Sequence, residues 1–226
     1  MATADRSRLV VFDLDGTLVD SEAHIVDAMR SAFEQNDLPG PGRQAVREVV
    51  GLSLTAAIER LAPRQPAPVR TRLGESYRRN FLAGRTPDNH EPLFPGVVET
   101  LDSLGRAGYL LGIATGKSMQ GLRAVLASHR LADRFVTLQT PDQGPGKPHP
   151  DMLNRAMGEA GVGPSDTVVV GDTSYDMTMS ANAGVAAIGV SWGYHAVEDL
   201  LEAGAARVID RFDQLEAAVV ALIGAG

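Results

Sequence analysis

The sequence contains no cysteine. A disulfide, a thiolate metal site and a cysteine nucleophile are therefore excluded, and this composition is compatible with a reducing cytoplasm. Basic residues are scarce relative to acidic ones, 21 against 28, which gives a formal net charge of −7. Because non-specific binding of nucleic acid needs a basic surface, we expect no nucleic-acid partner. An anionic substrate is not excluded, since a local field can oppose the net charge.

Long apolar segments are missing as well. The apolar run near the N-terminus covers only residues 9–12 before Asp13 interrupts it. Such a run is too short for the core of a signal peptide, and no other stretch approaches the length of a membrane span. We therefore expect a cytoplasmic protein without a membrane partner, present as a monomer or homodimer.

Several short apolar runs predict strands that are buried on both faces, because none of them alternates apolar with polar residues. These runs are Leu9–Phe12, Leu110–Ala114, 167–170, Ala186–Val190 and Arg207–Ile209, with a weaker one at 134–137. Between them, helical patterns occupy 96–107, 118–128, Asp151–Ala160, Ser174–Ala183, 195–203 and 212–223. The alternation of strands and helices predicts an α/β fold with a parallel sheet.

The interval between residues 19 and 93 interrupts this alternation. It has no convincing buried strand, and its apolar spacing predicts four helices punctuated by proline and glycine. Their predicted bounds are 22–35, 43–50, 53–61 and 69–82. We therefore expect one α/β domain formed by 1–18 and 94–226, with a helical domain inserted at 19–93. Residues 19–21 and the linker 87–95 are the predicted hinges of this insertion.

Polar residues follow the predicted strands directly. Asp13 and Asp15 come after the first strand, Thr115 after the second, and Asp172 and Asp176 after the fourth. Because ligands of a parallel sheet bind beyond the carboxyl ends of its strands, we expect these side chains to meet at one edge. Four carboxylates together carry more negative charge than can stay unpaired. A hard cation with oxygen ligands resolves this, and Mg²⁺ is the best candidate.

The same edge is expected to hold groups that bind phosphate. Thr115 and the backbone N–H groups after it, beginning at Gly116, can hold phosphate oxygens, and the glycine permits close approach. Lys147, in the segment Gly-Lys-Pro-His-Pro, adds a positive charge that would offset both a nucleophile and a phosphate. This combination suits phosphoryl transfer, and a carboxylate can act as nucleophile by forming an aspartyl-phosphate.

With these residues in place, the sequence resembles the haloacid dehalogenase superfamily of phosphatases. Four motifs occur in the family's order: Asp-Leu-Asp-Gly-Thr at 13–17, Thr115, Lys147 before Pro-His-Pro, and Gly-Asp at 171–172 through Asp176. Each motif alone is weak, but four in order after suitable strands or loops are a strong signal. The helical insertion also lies where this branch of the family places its cap. The resemblance therefore implies a Rossmann-like three-layer core with a helical cap inserted after the first strand.

The resemblance also implies a role for each motif residue. Asp13 would be the nucleophile, and Asp15 would be the general acid for the leaving alcohol and then the base for water. Thr115 and the backbone of Gly116 would bind the phosphoryl group, and Lys147 would steady Asp13 and the phosphate.

The implied Mg²⁺ ligands are Asp172, the Asp13 carboxylate and the backbone carbonyl of Asp15. Asp176 would support these ligands or occasionally bind the ion itself. Two further residues are candidates for substrate binding. Lys117 would contact substrate or phosphate, with a solvent-facing side chain as the alternative. Arg47 would meet a substrate carboxylate, with a solvated helix face as the alternative.

Within the superfamily, the sequence looks most like phosphoglycolate phosphatases and their relatives. The features that carry this are the position of the insertion, Phe-Pro-Gly-Val at 94–97 and Gly-Val-Ser-Trp-Gly at 189–193. We therefore predict a Mg²⁺-dependent phosphatase for a small phosphorylated metabolite. Two alternatives stay open: a β-phosphoglucomutase-like phosphomutase, which shares the core motifs, and a phospho-accepting receiver domain. Asp15 favours phosphate chemistry over dehalogenation, and a receiver needs no general acid at that position.

Overall fold

The computed structural model describes residues 7–84 and 91–224. Its centre is a sheet of six strands: β1 (Leu9–Phe12), β2 (Leu110–Ala114), β3 (Thr137–Gln139), β4 (Thr167–Gly171), β5 (Ala186–Val190) and β6 (Arg207–Ile209). The strand order is β3-β2-β1-β4-β5-β6, and every neighbouring pair is parallel. The predicted α/β fold with a parallel sheet is confirmed.

In residues 7–84 and 91–224, ten α-helices surround or extend the sheet. They are α1 (Glu22–Glu34), α2 (Arg43–Arg47), α3 (Leu54–Leu61), α4 (Ala67–Ala83), α5 (Val97–Arg106), α6 (Met119–Ser128), α7 (Asp151–Ala160), α8 (Ser174–Ala183), α9 (Val197–Glu202) and α10 (Leu215–Ile223). Among these described helices, none combines the length and the apolar composition that crossing a bilayer requires.

The sheet separates two hydrophobic clusters, because successive residues of a strand point to opposite faces. Val10 and Phe12 of β1 pack with Leu101 of α5 on one face. Leu9 and Val11 join α7 and α8 on the other face. Every residue of β1 is consequently buried. This explains why the strand reads as a continuous apolar run, and it gives the three layers of the core.

The helices α1 to α4 form a separate layer, which we call the cap (residues 22–83). Its own hydrophobic cluster includes Ile25, Met29, Val46, Ile58 and Leu73. The amphipathic spacing of these residues is what directs one face of each helix inward. The cap is inserted after β1, as predicted from the sequence. The exact domain boundaries at 18/19 and 93/94 stay a prediction.

Two chain segments that run side by side join the cap to the core. Val19 pairs with Leu93 in an antiparallel bridge. The N–H of Asp20 donates to the carbonyl oxygen of Pro92 at 2.8 Å, and the N–H of Phe94 donates to that of Leu18 at 3.0 Å. The predicted hinge at 19–21 and the described part of the linker, 91–95, therefore lie next to each other at the junction between cap and core. Residues 87–90 of that linker lie outside the described residues.

Several predicted bounds were wrong. Residues 132–134 form a 3₁₀ turn and the edge strand begins only at Thr137, because its register is fixed by pairing of Thr137 with Gly112 of β2. Long-range pairing of this kind decides the limits of a short edge strand more than local apolar character does. In the cap, α2 ends at Arg47 rather than at residue 50, and turns lead to Gly51 at φ +94°.

Candidate active site

Asp13 lies at the carboxyl end of β1 and is almost fully buried, with 2% exposure. Its backbone N–H donates to the carbonyl oxygen of Val170 at 2.9 Å, so the sheet continues through this residue. One carboxylate oxygen, Oδ1, accepts the N–H of Leu14 at 2.7 Å. The strand and this local hydrogen bond together fix the direction of the carboxylate.

Lys147 lies between two buried carboxylates. Its Nζ is 2.8 Å from Oδ2 of Asp13 and 2.6 Å from Oδ1 of Asp176, and all three side chains are buried. Burial by itself would lower the pKa of Lys147, but the charges of Asp13 and Asp176 outweigh it and raise the pKa above its usual value,. Lys147 is therefore a charged ammonium at neutral pH.

The negative charge of the carboxylates at this edge is still larger than the positive charge that Lys147 supplies. Burial raises the pKa of Asp13 to about 7 in spite of Lys147, and the charges of Asp176 and Asp15 add to the rise. Burial also raises the pKa of Asp172 well above its usual value, helped by the charges of Asp13 and Asp176. The protein holds these groups in a position where a further cation would be stabilising.

Asp172 is held rigidly at the carboxyl end of β4. Its Oδ1 accepts the hydroxyl of Thr17 at 2.7 Å, and its Oδ2 accepts the backbone N–H of Tyr194 at 2.9 Å. A Cβ at Gly16 or Gly193 would overlap the Asp172 carboxylate, so glycine is required at both positions. Thr17 and Tyr194 were not among the predicted site residues. Their contacts join segments more than twenty residues apart, and no local signal could have revealed them.

Asp176 has a structural task in addition to its ion pair. Its Oδ2 accepts the backbone N–H of Thr173 at 3.1 Å and the Thr173 hydroxyl at 2.6 Å. The first of these contacts forms the capping box at the start of α8, together with the backbone N–H of Asp176, which donates to the Thr173 hydroxyl oxygen at 3.4 Å,. Both oxygens of Asp176 therefore have partners already, and its main contacts are with Lys147 and the helix cap.

One carboxylate oxygen each from Asp13, Asp172 and Asp176 lie within 4.8 Å of one another. Oxygen-only donors, burial and an excess of negative charge fit a hard divalent cation. The Asp15 carboxylate is not part of this group among the described residues. Asp13 and Asp172 are the better ligands of the three, because Asp176 already contacts Lys147 and Thr173.

Asp15 faces the cap side of the same edge. Its Oδ1 is 3.0 Å from Nζ of Lys117, and this ammonium also lies 4.2 Å from the centre of the Phe81 ring on α4. Thr115 is buried, and its hydroxyl accepts the backbone N–H of Lys117 at 3.3 Å. Lys117 is therefore not a solvent-facing lysine, and it joins Asp15 of the core to Phe81 of the cap.

A cavity of about 400 Å³, which we call the cap cavity, lies between the cap and this edge. Its lining includes Asp13, Asp15, Thr115, Gly116 and Lys117 from the core. Lys147, Asp172 and Asp176 lie beside Asp13. The structure thus brings together every predicted site residue of the core.

Arg47 is the predicted site residue that the structure brings neither to the lining of the cap cavity nor to the group beside Asp13. Its guanidinium is 2.8 Å from the Glu22 carboxylate and donates to the carbonyl oxygens of Gly193 at 3.0 Å and Tyr194 at 3.1 Å. These partners occupy the guanidinium, and Arg47 is absent from the described lining of the cap cavity. Arg47 therefore ties the cap to the core segment that holds Asp172, and a contact with substrate carboxylate is not what its position supports.

The cap approaches the core closely at Gly116. A Cβ at this residue would overlap the backbone carbonyl oxygens of Leu52 and Gly51 in the cap. We therefore expect Gly116→Ala to keep the cap from closing. Gly116 itself has no positive φ, so the core should tolerate alanine once the cap has moved.

The expected result for Gly116→Ala is a fall in kcat/KM of about tenfold or more, since a loosely closed site positions its groups poorly. The free energy of unfolding should change by less than about 1 kcal/mol. Gly158→Ala is the matched control, because the added Cβ would meet nothing within 4 Å beyond its chain neighbours and the backbone of its own helix. Equal kcat/KM for the two variants would show that the contact at Gly116 does not govern closure.

The chain is similar to known phosphatases and to a known family of hydrolases. The family model described as haloacid dehalogenase-like hydrolase matches residues 10–190. A probable phosphatase, IndB, of Dickeya dadantii is 36% identical over 217 residues, covering 95% of this chain and 94% of the relative. A phosphoglycolate phosphatase of Vibrio vulnificus is 32% identical over 220 residues, covering 94% and 96% of the two chains. The crystal structure of a predicted phosphatase from Clostridium acetobutylicum superposes with a TM-score of 0.86 at 24% identity, covering 96% and 100%.

Proposed function

Because this chain belongs to the haloacid dehalogenase-like hydrolases and is a phosphatase of the phosphoglycolate phosphatase-like branch, we propose that it hydrolyses a small phosphomonoester through an aspartyl-phosphate at Asp13. The observation that carries this proposal is the placement of Asp13. Its carboxylate lines the cap cavity together with Asp15 and Thr115, and it is paired with the buried Lys147. This set contains a nucleophile, a proton donor, a phosphate-binding hydroxyl and a neutralising cation.

In the first step, an oxygen of Asp13 attacks phosphorus and the bond between phosphorus and the alcohol oxygen breaks. Asp15, in its protonated form, donates the proton that the leaving alcohol needs. Lys147 offsets the charge of the nucleophile and of the phosphoryl oxygens. The buried Thr115 hydroxyl and the Gly116 N–H bind those oxygens and hold phosphorus in line with Asp13.

In the second step, Asp15 is a carboxylate and removes a proton from water as the water oxygen bonds to phosphorus. The bond between phosphorus and the Asp13 oxygen breaks, which releases inorganic phosphate and restores Asp13. The ion pair with Lys117 at 3.0 Å orients the Asp15 carboxylate for this proton transfer. The same side chain therefore acts first as acid and then as base.

Asp13 and Asp172 are the residues that would hold Mg²⁺, because the negative charge of the buried carboxylates around them is larger than the local positive charge. When bound, the ion supplies charge neutralisation for the phosphoryl oxygens and for Asp13. Thr17 and the N–H of Tyr194 keep Asp172 in place for this task. Expectations of a cytoplasmic location and of a monomer or homodimer stay predictions.

The direct test is to measure phosphate release from phosphomonoesters with Mg²⁺ and with a chelator, and to locate the covalent intermediate. Acid-quenched enzyme should carry a phosphoryl group on the peptide that contains Asp13, as detected by mass spectrometry. Phosphorylation of Asp13 without phosphate release, with transfer to a sugar instead, would identify a phosphomutase. A phosphoryl group on another peptide, or none during turnover, would overturn the mechanism.

Stabilisation by Mg²⁺ is expected to increase with pH. Asp13 has its pKa raised from 3.8 to about 7 in the folded protein. Between those values the folded state therefore keeps a proton that the unfolded chain has lost, and this contribution to stability is lost as the pH rises towards 7. Because a metal ligand must be deprotonated, Mg²⁺ should raise Tm little at about pH 5 and by several degrees at about pH 8.

Thermal unfolding with Mg²⁺ or with chelator at the two pH values measures this difference. Asp172→Asn is the companion variant, and it should remove most of the rise in Tm at the higher pH. A Mg²⁺ effect that is the same at both pH values would contradict the assignment of buried carboxylates as ligands.

A further inference from the structure

The walls of the cap cavity differ in chemistry. The core contributes polar and charged groups, among them Asp13, Asp15 and Thr115. The cap contributes a mainly apolar wall, whose members include Ile25, Met29, Val49, Leu52, Phe81 and Leu82. Because the phosphoryl group must lie at Asp13, the part of the substrate that enters the cap is the leaving alcohol.

Part of this wall is aromatic. The rings of Tyr77 and Phe81 on α4 stack with their centres 5.8 Å apart at an angle of 29°, and both residues line the cap cavity. An apolar or planar group that packs against such rings gains from burial and from ring contact. A small, strongly hydrated alcohol would instead leave this surface uncovered.

The cationic side chains near the site are not placed to bind a second negative charge of the substrate deep in the cap. Arg47 is bound to Glu22 and to core carbonyls outside the cavity. Lys117 is paired with Asp15. In the described part of the cavity lining, this leaves Arg78, whose side chain is exposed at the surface of α4. A short leaving group such as glycolate keeps its carboxylate close to the phosphoryl group, where the described lysines, Lys117 and Lys147, are already paired with carboxylates.

The size of the cap cavity also favours a leaving group larger than glycolate. A volume of about 400 Å³ lies within the range of clefts that bind small organic ligands, about 300–1,000 Å³. The phosphoryl group and glycolate would fill only a part of it. A leaving group that carries a ring would fill the remainder and displace water from the apolar wall.

From these observations we infer that the physiological substrate is a phosphomonoester whose leaving alcohol presents an apolar, ring-sized face to the cap wall. This inference rests on the proposed phosphatase function. It defines the chemical class of the leaving group, and Leu82 and the pair formed by Tyr77 and Phe81 are the residues that recognise it.

The test compares phosphate esters of unactivated alcohols, so that differences in rate reflect binding in the cap. Benzyl phosphate, ethyl phosphate and 2-phosphoglycolate are assayed with the full chain and Mg²⁺. We expect kcat/KM for benzyl phosphate to exceed that for each of the other two by about tenfold or more, the gain that burial of a ring face supplies. A higher kcat/KM for 2-phosphoglycolate would overturn the inference and leave the phosphatase function intact.

Leu82 permits a specific variant, because its side chain is 45% exposed and yet lines the cap cavity. Leu82→Gln should lower the ratio of kcat/KM for benzyl over ethyl phosphate about threefold or more, since it removes apolar contact to the ring alone. Leu201→Gln is the matched control, since this leucine is 52% exposed on α9 and absent from the cavity lining. It should leave the ratio unchanged.

Equal ratios in the two leucine variants would overturn the role of the cap wall. Phosphate release from no ester, or release that persists when Asp13 is replaced by asparagine, would overturn the proposed function and this inference together. The two failures are distinguishable, because only the second removes the dependence on Asp13.

Discussion

Replacing Asp13 by asparagine is expected to abolish turnover, with a fall in kcat of about 10⁴-fold or more, the scale seen when a covalent nucleophile is removed. The amide keeps the shape of the side chain and can still accept the N–H of Leu14. It cannot, however, form the covalent bond to phosphorus. The loss should therefore appear in kcat, with the folded structure preserved in circular dichroism.

The matched control is Asp27→Asn, which changes an exposed aspartate of α1 that is absent from the cavity lining. It should retain full activity. Phosphate release by Asp13→Asn within about tenfold of the unmodified chain would show that another group attacks phosphorus. Mass spectrometry of acid-quenched enzyme would then be used to find that group.

Replacing Lys147 by methionine is expected to cause the largest loss of stability, about 3–5 kcal/mol in the free energy of unfolding. Lys147 is the cation between Asp13 and Asp176, at 2.8 and 2.6 Å. Methionine has a similar length but no charge, so both carboxylates would remain buried without their partner. Urea denaturation at neutral pH measures the loss, and phosphate release should fall as well.

Two further variants separate this cause from a general packing defect. Arg72→Met removes an exposed cation from α4 and should change the free energy of unfolding by less than about 0.5 kcal/mol. Adding Asp176→Asn to Lys147→Met should recover part of the stability, since one uncompensated charge disappears. A loss of less than about 1 kcal/mol for Lys147→Met would mean that the pair with Asp13 and Asp176 contributes little.

The motif residues were predictable because their positions follow from chain topology. Asp13, Thr115 and Asp172 each come directly after a buried strand, and parallel strands bring their carboxyl ends to one edge,. The contacts of Lys117 were not predictable. Its ion pair with Asp15 and its approach to the Phe81 ring depend on where the cap rests on the core.

Asp176 and Arg47 show the same limit. Sequence reasoning placed Asp176 near the metal, and one of its carboxylate oxygens does lie within 4.8 Å of those of Asp13 and Asp172. Its pair with Lys147 and its capping of α8 depend on the packed structure. Arg47 was a candidate for a substrate carboxylate, and its partners proved to be Glu22 and two carbonyl oxygens of the segment after β5. Both side chains are long or forked enough to reach several partners, so only the packed neighbours decide among them.

The sequence by itself determined the α/β core, the helical insertion and the set of residues at the strand ends, because hydrophobic periodicity and chain order act locally. The tertiary structure decided the apolar character of the cap wall, the pairing of Lys147 and Lys117, and the rigid support of Asp172 by Thr17 and Tyr194. These features join segments that are distant in sequence. Their free energy depends on burial and on which charges meet in a low-dielectric interior, and neither quantity is encoded in any single stretch of the chain.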